Sequence, residues 1–400
     1  MNPHIQSLHP YPFEKLANLL ADIKPHPEKE LIKLTIGEPQ HAAPQFVKDC
    51  LAQNLNGISK YPLTKGDPAL SEAIAQWCKT RFSLASLDPK SQVIPVTGTR
   101  EALFAITQTL IDSNGKDLII SPNPFYQIYE GAGILAGAEL HFLNCDANNN
   151  YQINYKDVPN SVWERCKIVF VCSPNNPTGS LTSLEEYGFL IEKAKTYNFT
   201  LIADECYSEI YFDESKKPLG LLEACEKLGN EGYQNCLVFH SLSKRSNLPG
   251  LRSGFVAGDA DILKAFLLYR TYQGCAMPPH HQAASILAWQ DEEHVLENRH
   301  LYRKKFKAAI DILSPVMSIS HPEAAFYLWP KTDMDDETFC RELYQQESVL
   351  VLPGQYLARS VNGVNPGKHH VRMALVADEI NCIEAVNRIK NFILNNIKTP

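Results

Sequence analysis

The sequence predicts an α/β fold, with a mostly parallel sheet covered by helices in a large domain and a small α+β domain after it. Three observations carry this. From about residue 92 to residue 258, apolar runs of strand length alternate with segments whose apolar residues recur at helical spacing, the pattern of a parallel sheet with helices on both faces. The chain has 400 residues, of which 44% are hydrophobic, enough for a large core and a division into two units. Beyond residue 290 a long charged amphipathic run is followed by short strand-like runs and a final helical one. The expected division is an N-terminal arm and first strand on the small-domain side over 1–45, a large domain over 46–290 and a small domain over 291–400.

Composition narrows the possible partners. Basic residues number 38 against 45 acidic ones, a net charge of −7, and no Lys/Arg block is present, so nucleic acid is not expected as a partner. Any anion must then be held by individual arginines. Eleven cysteines without a CxxC pair suit free thiols in a reducing cytoplasm. Neighbours in sequence usually point apart, so the adjacent pairs His280-His281 and His369-His370 are expected to serve surface or core packing, and no metal is expected. No signal-like segment and no apolar run of about 18 residues appears, so no membrane association is expected.

In order, residues 1–30 form an arm with a short amphipathic helix over 13–23, where Phe13, Leu16, Leu19, Leu20 and Ile23 share a face. Residues 31–37 read as an alternating strand ending at Gly37, followed by a proline-restricted loop. Tyr61 stands in a loop before a helix that Asp67 and Pro68 start. A strand over 92–96 runs through Gly98, Thr99 and Arg100 into a helix over 101–111. Such a junction offers free N–H groups and a helix dipole to a phosphate, although most junctions of this kind bind nothing.

A strand from residue 117 ends in Pro122-Asn123-Pro124, with Tyr126 just beyond. The strand over 168–172 leads into SPNNPTG, which contains Asn176, and then into a helix capped near Ser183. Asp204 ends the apolar strand of FTLIADECYSEIYF, with Tyr207 three residues later. A carboxylate buried there needs a cationic partner, unless it caps a helix. Next comes SLSKRSNLPGLRSGF over 241–255. Lys244, between small hydroxyls that include Ser241 and ahead of Pro249-Gly250 and Arg252, has the parts to hold a phosphorylated aldehyde: an amine for a Schiff base, and a guanidinium and hydroxyls for phosphate. Helices over 260–272, 279–290, 292–313 and 378–397 follow, with Arg372 in the alternating run HHVRMALVA.

Taken together, Ser-x-Ser-Lys with an arginine eight residues on, the Asn-Pro-Thr-Gly turn, the strand-end Asp204 with Tyr207, and R-M-A-L-x-A resemble the fold-type I, class I/II aminotransferases over essentially the whole chain. The resemblance implies pyridoxal 5'-phosphate (PLP) as cofactor, a homodimer with active sites at its interface, and amino acids and 2-oxo acids as substrates. It assigns catalysis to Lys244, Asp204 and Tyr207. Cofactor binding falls to Gly98, Thr99, Arg100, Tyr126 (stacking on the ring), Asn176 and Tyr207 (ring hydroxyl), Asp204 (ring nitrogen), Ser241, Lys244 and Arg252. Tyr61 would reach the partner subunit's phosphate. Gly37, Asn176 and Arg372 would bind substrate, with Arg372 on the α-carboxylate. Gln127 departs from the family, many of whose members have proline there. The stretches HPYPFEKL, IGEPQHAAP, KYPLTKGDP and NRHLYRKKF are similar to bacterial N-succinyldiaminopimelate transaminases, implying N-succinyl-LL-2,6-diaminopimelate and 2-oxoglutarate in lysine biosynthesis. An aminotransferase for aspartate or other amino acids, or a carbon-sulfur lyase, would keep the same cofactor residues. Arg100, Arg245 and Arg270 are the candidates for reading the substrate's distal anionic end.

Overall fold

The computed structural model describes residues 1–396. Its centre is a seven-stranded sheet. Its strands are β1 (Val93–Val96), β2 (Leu118–Asn123), β3 (Glu139–Asn144), β4 (Cys166–Cys172), β5 (Thr200–Asp204), β6 (Cys236–Ser241) and β7 (Gly254–Gly258), arranged in the order β1-β7-β6-β5-β4-β2-β3. Strands β3, β2, β4, β5 and β6 pair in parallel, while β7 is antiparallel to both β6 and β1. The mostly parallel sheet is therefore present, with one reversed strand. Central strands β4, β5 and β6 are buried at nearly every position, as strands covered on both faces must be.

The reversed strand matters for the site. Gly254 pairs with Val96 on one side and with Ser241 on the other. The end of β1, the end of β6 and the start of β7 thus share one edge of the sheet, the edge where β5 also ends at Asp204. Open α/β sheets collect their ligands at this edge.

A second core joins the long helix Glu293–Leu313 to the helices Asp336–Glu347 and Glu379–Asn396 and to a small antiparallel sheet of Leu352–Pro353, Val371–Ala374 and Tyr327–Leu328. Ile32 and Leu34 are buried in this core, and Ile32–Lys33 pairs in parallel with Val349–Leu350. The strand expected over 31–37 is thus only two residues long. Its continuation is diverted because the Thr35 carbonyl accepts from Arg372 and the Gly37 carbonyl from Lys244, so neither is free for a ladder. The amphipathic run at 13–23 is helical only over Pro12–Leu19. The expected end of the last helix at residue 397 lies outside the described residues. Among the described residues no helix is long and apolar enough to cross a membrane.

Candidate active site

Local sequence explains how each strand end delivers its side chain. After β1, Gly98 adopts φ 99°, a conformation closed to most L-residues, and a Cβ there would lie 2.1 Å from the Arg252 guanidinium. The glycine therefore lets Arg252 lie against the start of the helix Thr99–Leu110, where unpaired N–H groups point outward. After β6, Ser241 caps the short turn Leu242–Arg245 by accepting from the Ser243 N–H at 3.1 Å. Its hydroxyl also donates to the Ser253 carbonyl at 3.4 Å, so it faces backbone and does not line the cavity. The turn carries Lys244.

The cavity, about 150 Å³ in volume, brings together Gly37, Thr99, Arg100, Tyr126, Asn176, Asp204, Tyr207, Lys244 and Arg372, residues scattered over more than three hundred positions of sequence. The Lys244 amine donates to the Gly37 carbonyl and lies 5.4 Å from the centre of the Phe326 ring. Burial pushes its pKa down to about 8. Near neutrality this amine is poised to lose its proton.

Asp204 is 4% exposed. Its carboxylate accepts from the Tyr129 hydroxyl at 2.8 Å and from the Cys206 N–H at 3.4 Å, two uncharged donors, and burial raises its pKa. A buried carboxylate held this way favours an added N–H donor or cation in the cavity. No helix begins after Asp204, which disposes of the capping role.

Arg372 is also buried, at 5% exposed. It donates to Asn176 Oδ1 at 3.0 Å and to the Thr35 carbonyl at 2.7 Å, and it stacks 4.5 Å from the Tyr327 ring centre. Its Nε has no hydrogen-bond partner among the described residues. A guanidinium braced by neutral acceptors, with no carboxylate of its own, is built to receive one. The Tyr207 and Tyr327 hydroxyls meet at 3.0 Å beside it.

Of the three distal-end candidates, only Arg100 lines the cavity. It donates to the Tyr126 hydroxyl at 2.5 Å and the Tyr11 hydroxyl at 3.2 Å. Arg245 is spent on Glu292 at 2.5 Å and on two backbone carbonyls, and Arg270 on Glu101 at 2.5 Å. Both are internal ties. Tyr61 is fully exposed and away from the cavity of its own chain.

Sequence reasoning passed over Tyr11, Tyr129, Cys172, Cys206 and Tyr327. Tyr11 lies in HPYPFEKL, whose resemblance was its only signal. Tyr129 meets Asp204 only because the helix Ile128–Ala136 packs beside β2, which no local pattern reveals.

Comparison with known proteins adds to this geometry. The family model described as "Aminotransferase class I and II" matches residues 29–389. An LL-diaminopimelate aminotransferase of Maridesulfovibrio salexigens is 30% identical over 392 residues, covering 96% of this chain and 97% of the relative. An aminotransferase structure from Neisseria meningitidis superposes with a TM-score of 0.94 at 48% identity, covering 98% of this chain and 99% of the other. The aminotransferase AspB from Helicobacter pylori gives 0.90 at 36% identity, covering 97% and 100%.

Proposed function

The chain belongs to the class I and II aminotransferases, fold-type I enzymes that use PLP, and from that membership we propose that it transaminates N-succinyl-LL-2,6-diaminopimelate with 2-oxoglutarate. Two features of the site fit the cofactor: the buried, raised-pKa Asp204 carboxylate, which a pyridinium N–H would satisfy, and the cradle that Gly98 opens against Arg252. In this reading Lys244 would hold the aldehyde carbon, and the Thr99–Arg100 amides with Arg252 would hold the phosphate, without the Ser241 hydroxyl, which is engaged with backbone. Tyr126 covers the ring, and Asn176 and Tyr207 bond its hydroxyl. Bound PLP supplies an electron sink for the substrate's α-carbanion.

The protein supplies the rest. Asp204 keeps the ring nitrogen protonated. Arg372 grips the α-carboxylate bidentately, which with Gly37 beneath orients the α-hydrogen toward Lys244. Lys244, whose pKa burial lowers to about 8, would in its uncharged form take that proton on its amine and deliver it to the cofactor's aldehyde carbon. Tyr61 would complete the phosphate site of a partner subunit, making the enzyme a homodimer. Its thiols suit the cytoplasm.

The acylated substrate is favoured by one observation: among the described residues, Asp204 is the only carboxylate lining the cavity. With Asp204 paired to the cofactor's ring nitrogen, a free second ammonium would find no further carboxylate in that lining, whereas a succinylated end would present carboxylate to Arg100. The relatives named for LL-diaminopimelate support the diaminopimelate skeleton. The test compares glutamate formation from N-succinyl-LL-diaminopimelate, LL-diaminopimelate, aspartate and cystathionine with 2-oxoglutarate present. The succinylated donor should give the highest kcat/KM. Faster turnover of free LL-diaminopimelate or of aspartate would replace the substrate and keep the chemistry, while pyruvate and ammonia from cystathionine would make the protein a lyase.

A further inference from the structure

The helix Glu293–Leu313 presents Asn298, Tyr302 and Lys305 at positions i, i+4 and i+7, one above the other on a single face. All three are at most 2% exposed. A buried ammonium is costly unless paired, yet the Lys305 amine donates at 2.8 Å to the Ala377 carbonyl and at 2.8 Å to His41 Nε2, neither of them an anion. Burial pushes Lys305 down to about 8, with Asp378 and Glu379 opposing the shift. Burial, and then the charge of Lys305, also lowers His41.

Because Nε2 must accept from Lys305, His41 carries its proton on Nδ1, which donates to Asn298 Oδ1 at 2.7 Å. Asn298 Oδ1 accepts from Asn247 as well, at 3.0 Å, and its amide donates to the backbone carbonyls of Lys244 and Arg245, both at 3.3 Å. Tyr302 fills the space between, its ring centre 4.7 Å from that of His41 and 5.6 Å from that of Phe326, the ring that faces the Lys244 amine.

This network touches three cavity-forming segments. His41 is four residues beyond Gly37, whose carbonyl holds the Lys244 amine; Ala377 is five beyond Arg372; and Asn298 holds the Lys244 backbone. Packing alone does not require it, since apolar side chains would fill the same volume without burying an ammonium whose direct partners are a carbonyl and an imidazole.

We propose that His41, Asn298 and Lys305 are positioning residues: a polar hub on the Glu293–Leu313 helix that sets the Gly37 loop, the Lys244 turn and the Arg372 strand relative to one another. Substrate binds among these three segments, so the hub governs how the α-carboxylate and the α-hydrogen are presented to Arg372 and Lys244.

The test uses PLP-loaded protein with whichever amino donor it turns over fastest, so it does not depend on the succinylated substrate being correct. The variants are Lys305→Met, His41→Ala, His41→Gln, which retains an acceptor where Nε2 lies, and His41→Asn, which retains a donor where Nδ1 lies. Lys305→Met and His41→Ala should still bind PLP but raise KM for both amino donor and 2-oxo acid by about tenfold to a hundredfold. They should also shift the pH midpoint of the visible absorbance of the loaded protein. The double variant should be no worse than the worse single one, and His41→Gln should recover part of the loss. A lowered Tm with KM and the absorbance midpoint at wild-type values would reduce the hub to packing and overturn the proposal. If His41→Ala does not fold, the Gln and Asn variants decide: wild-type KM in both overturns it equally.

Discussion

Lys244 and Asp204 are both titratable and both buried, and burial moves their pKa values in opposite chemical senses, toward a free amine and toward a neutral acid. Each shift disfavours the charged form: that suits Lys244 as a base, whereas the Asp204 carboxylate would need the ring N–H as a partner to offset the cost of its burial. For Lys244 the sign is explicit. With a folded pKa of about 8, below the ordinary lysine value, the amine is protonated at lower pH and free at higher pH. The kcat profile should therefore have an acid limb that falls about tenfold per pH unit well below about pH 8. Stopped-flow or steady-state kcat from pH 6 to 9 checks this, and a profile flat down to pH 6 would show that the free lysine is not the base. Lys244→Ala should abolish both turnover and the visible absorbance change on adding PLP, with appreciable residual transamination removing Lys244 from the centre of the chemistry.

At the scale of elements, the site is a consequence of strand register. Gly254 pairing with both Val96 and Ser241 brings the Gly98 turn to the same edge as the lysine turn and Arg252, although it precedes them by more than a hundred residues in sequence. Gly98 is the tight point, where a positive φ and contact with Arg252 coincide. Gly98→Ala should displace the guanidinium and weaken PLP binding by at least about tenfold, a loss of roughly 1.4 kcal/mol. Titration of the cofactor-free protein by visible absorbance measures it; unchanged affinity would mean that Arg252 does not depend on the close approach. Elements also explain the main departure from expectation in the fold. Residues 35–37 carry the alternation of a strand, yet the Thr35 and Gly37 carbonyls serve Arg372 and Lys244 and the Ile36 carbonyl closes a turn with the Glu38 N–H, so a sheet partner is displaced.

For the whole molecule, Tyr61 is fully exposed, and Leu55, Ile58 and Leu63 near it in sequence are half exposed or more. Exposed apolar side chains on the short helical turn Leu55–Ser59 and the loop after it suit an interaction surface, and a second copy of this chain is the expected occupant. Sedimentation should find a dimer, and Tyr61→Ala should weaken PLP binding without lowering Tm by more than a few degrees. A fully active monomer would exclude a shared site. The sequence by itself determined the alternation that makes a parallel sheet, the order of the strand-end motifs, and the choice of Lys244, Asp204, Asn176 and Arg372 as candidates, which the fold brings to one cavity. Those signals are local, because periodicity and turn residues act within a few positions. Tertiary structure alone decided that Arg245 and Arg270 are internal ties while Arg100 faces the cavity, that Tyr129 meets Asp204, and that Lys305 lies against His41. Each of these is a contact between segments far apart in the chain, decided by how helices settle on the sheet and on one another, and no window of sequence contains both partners.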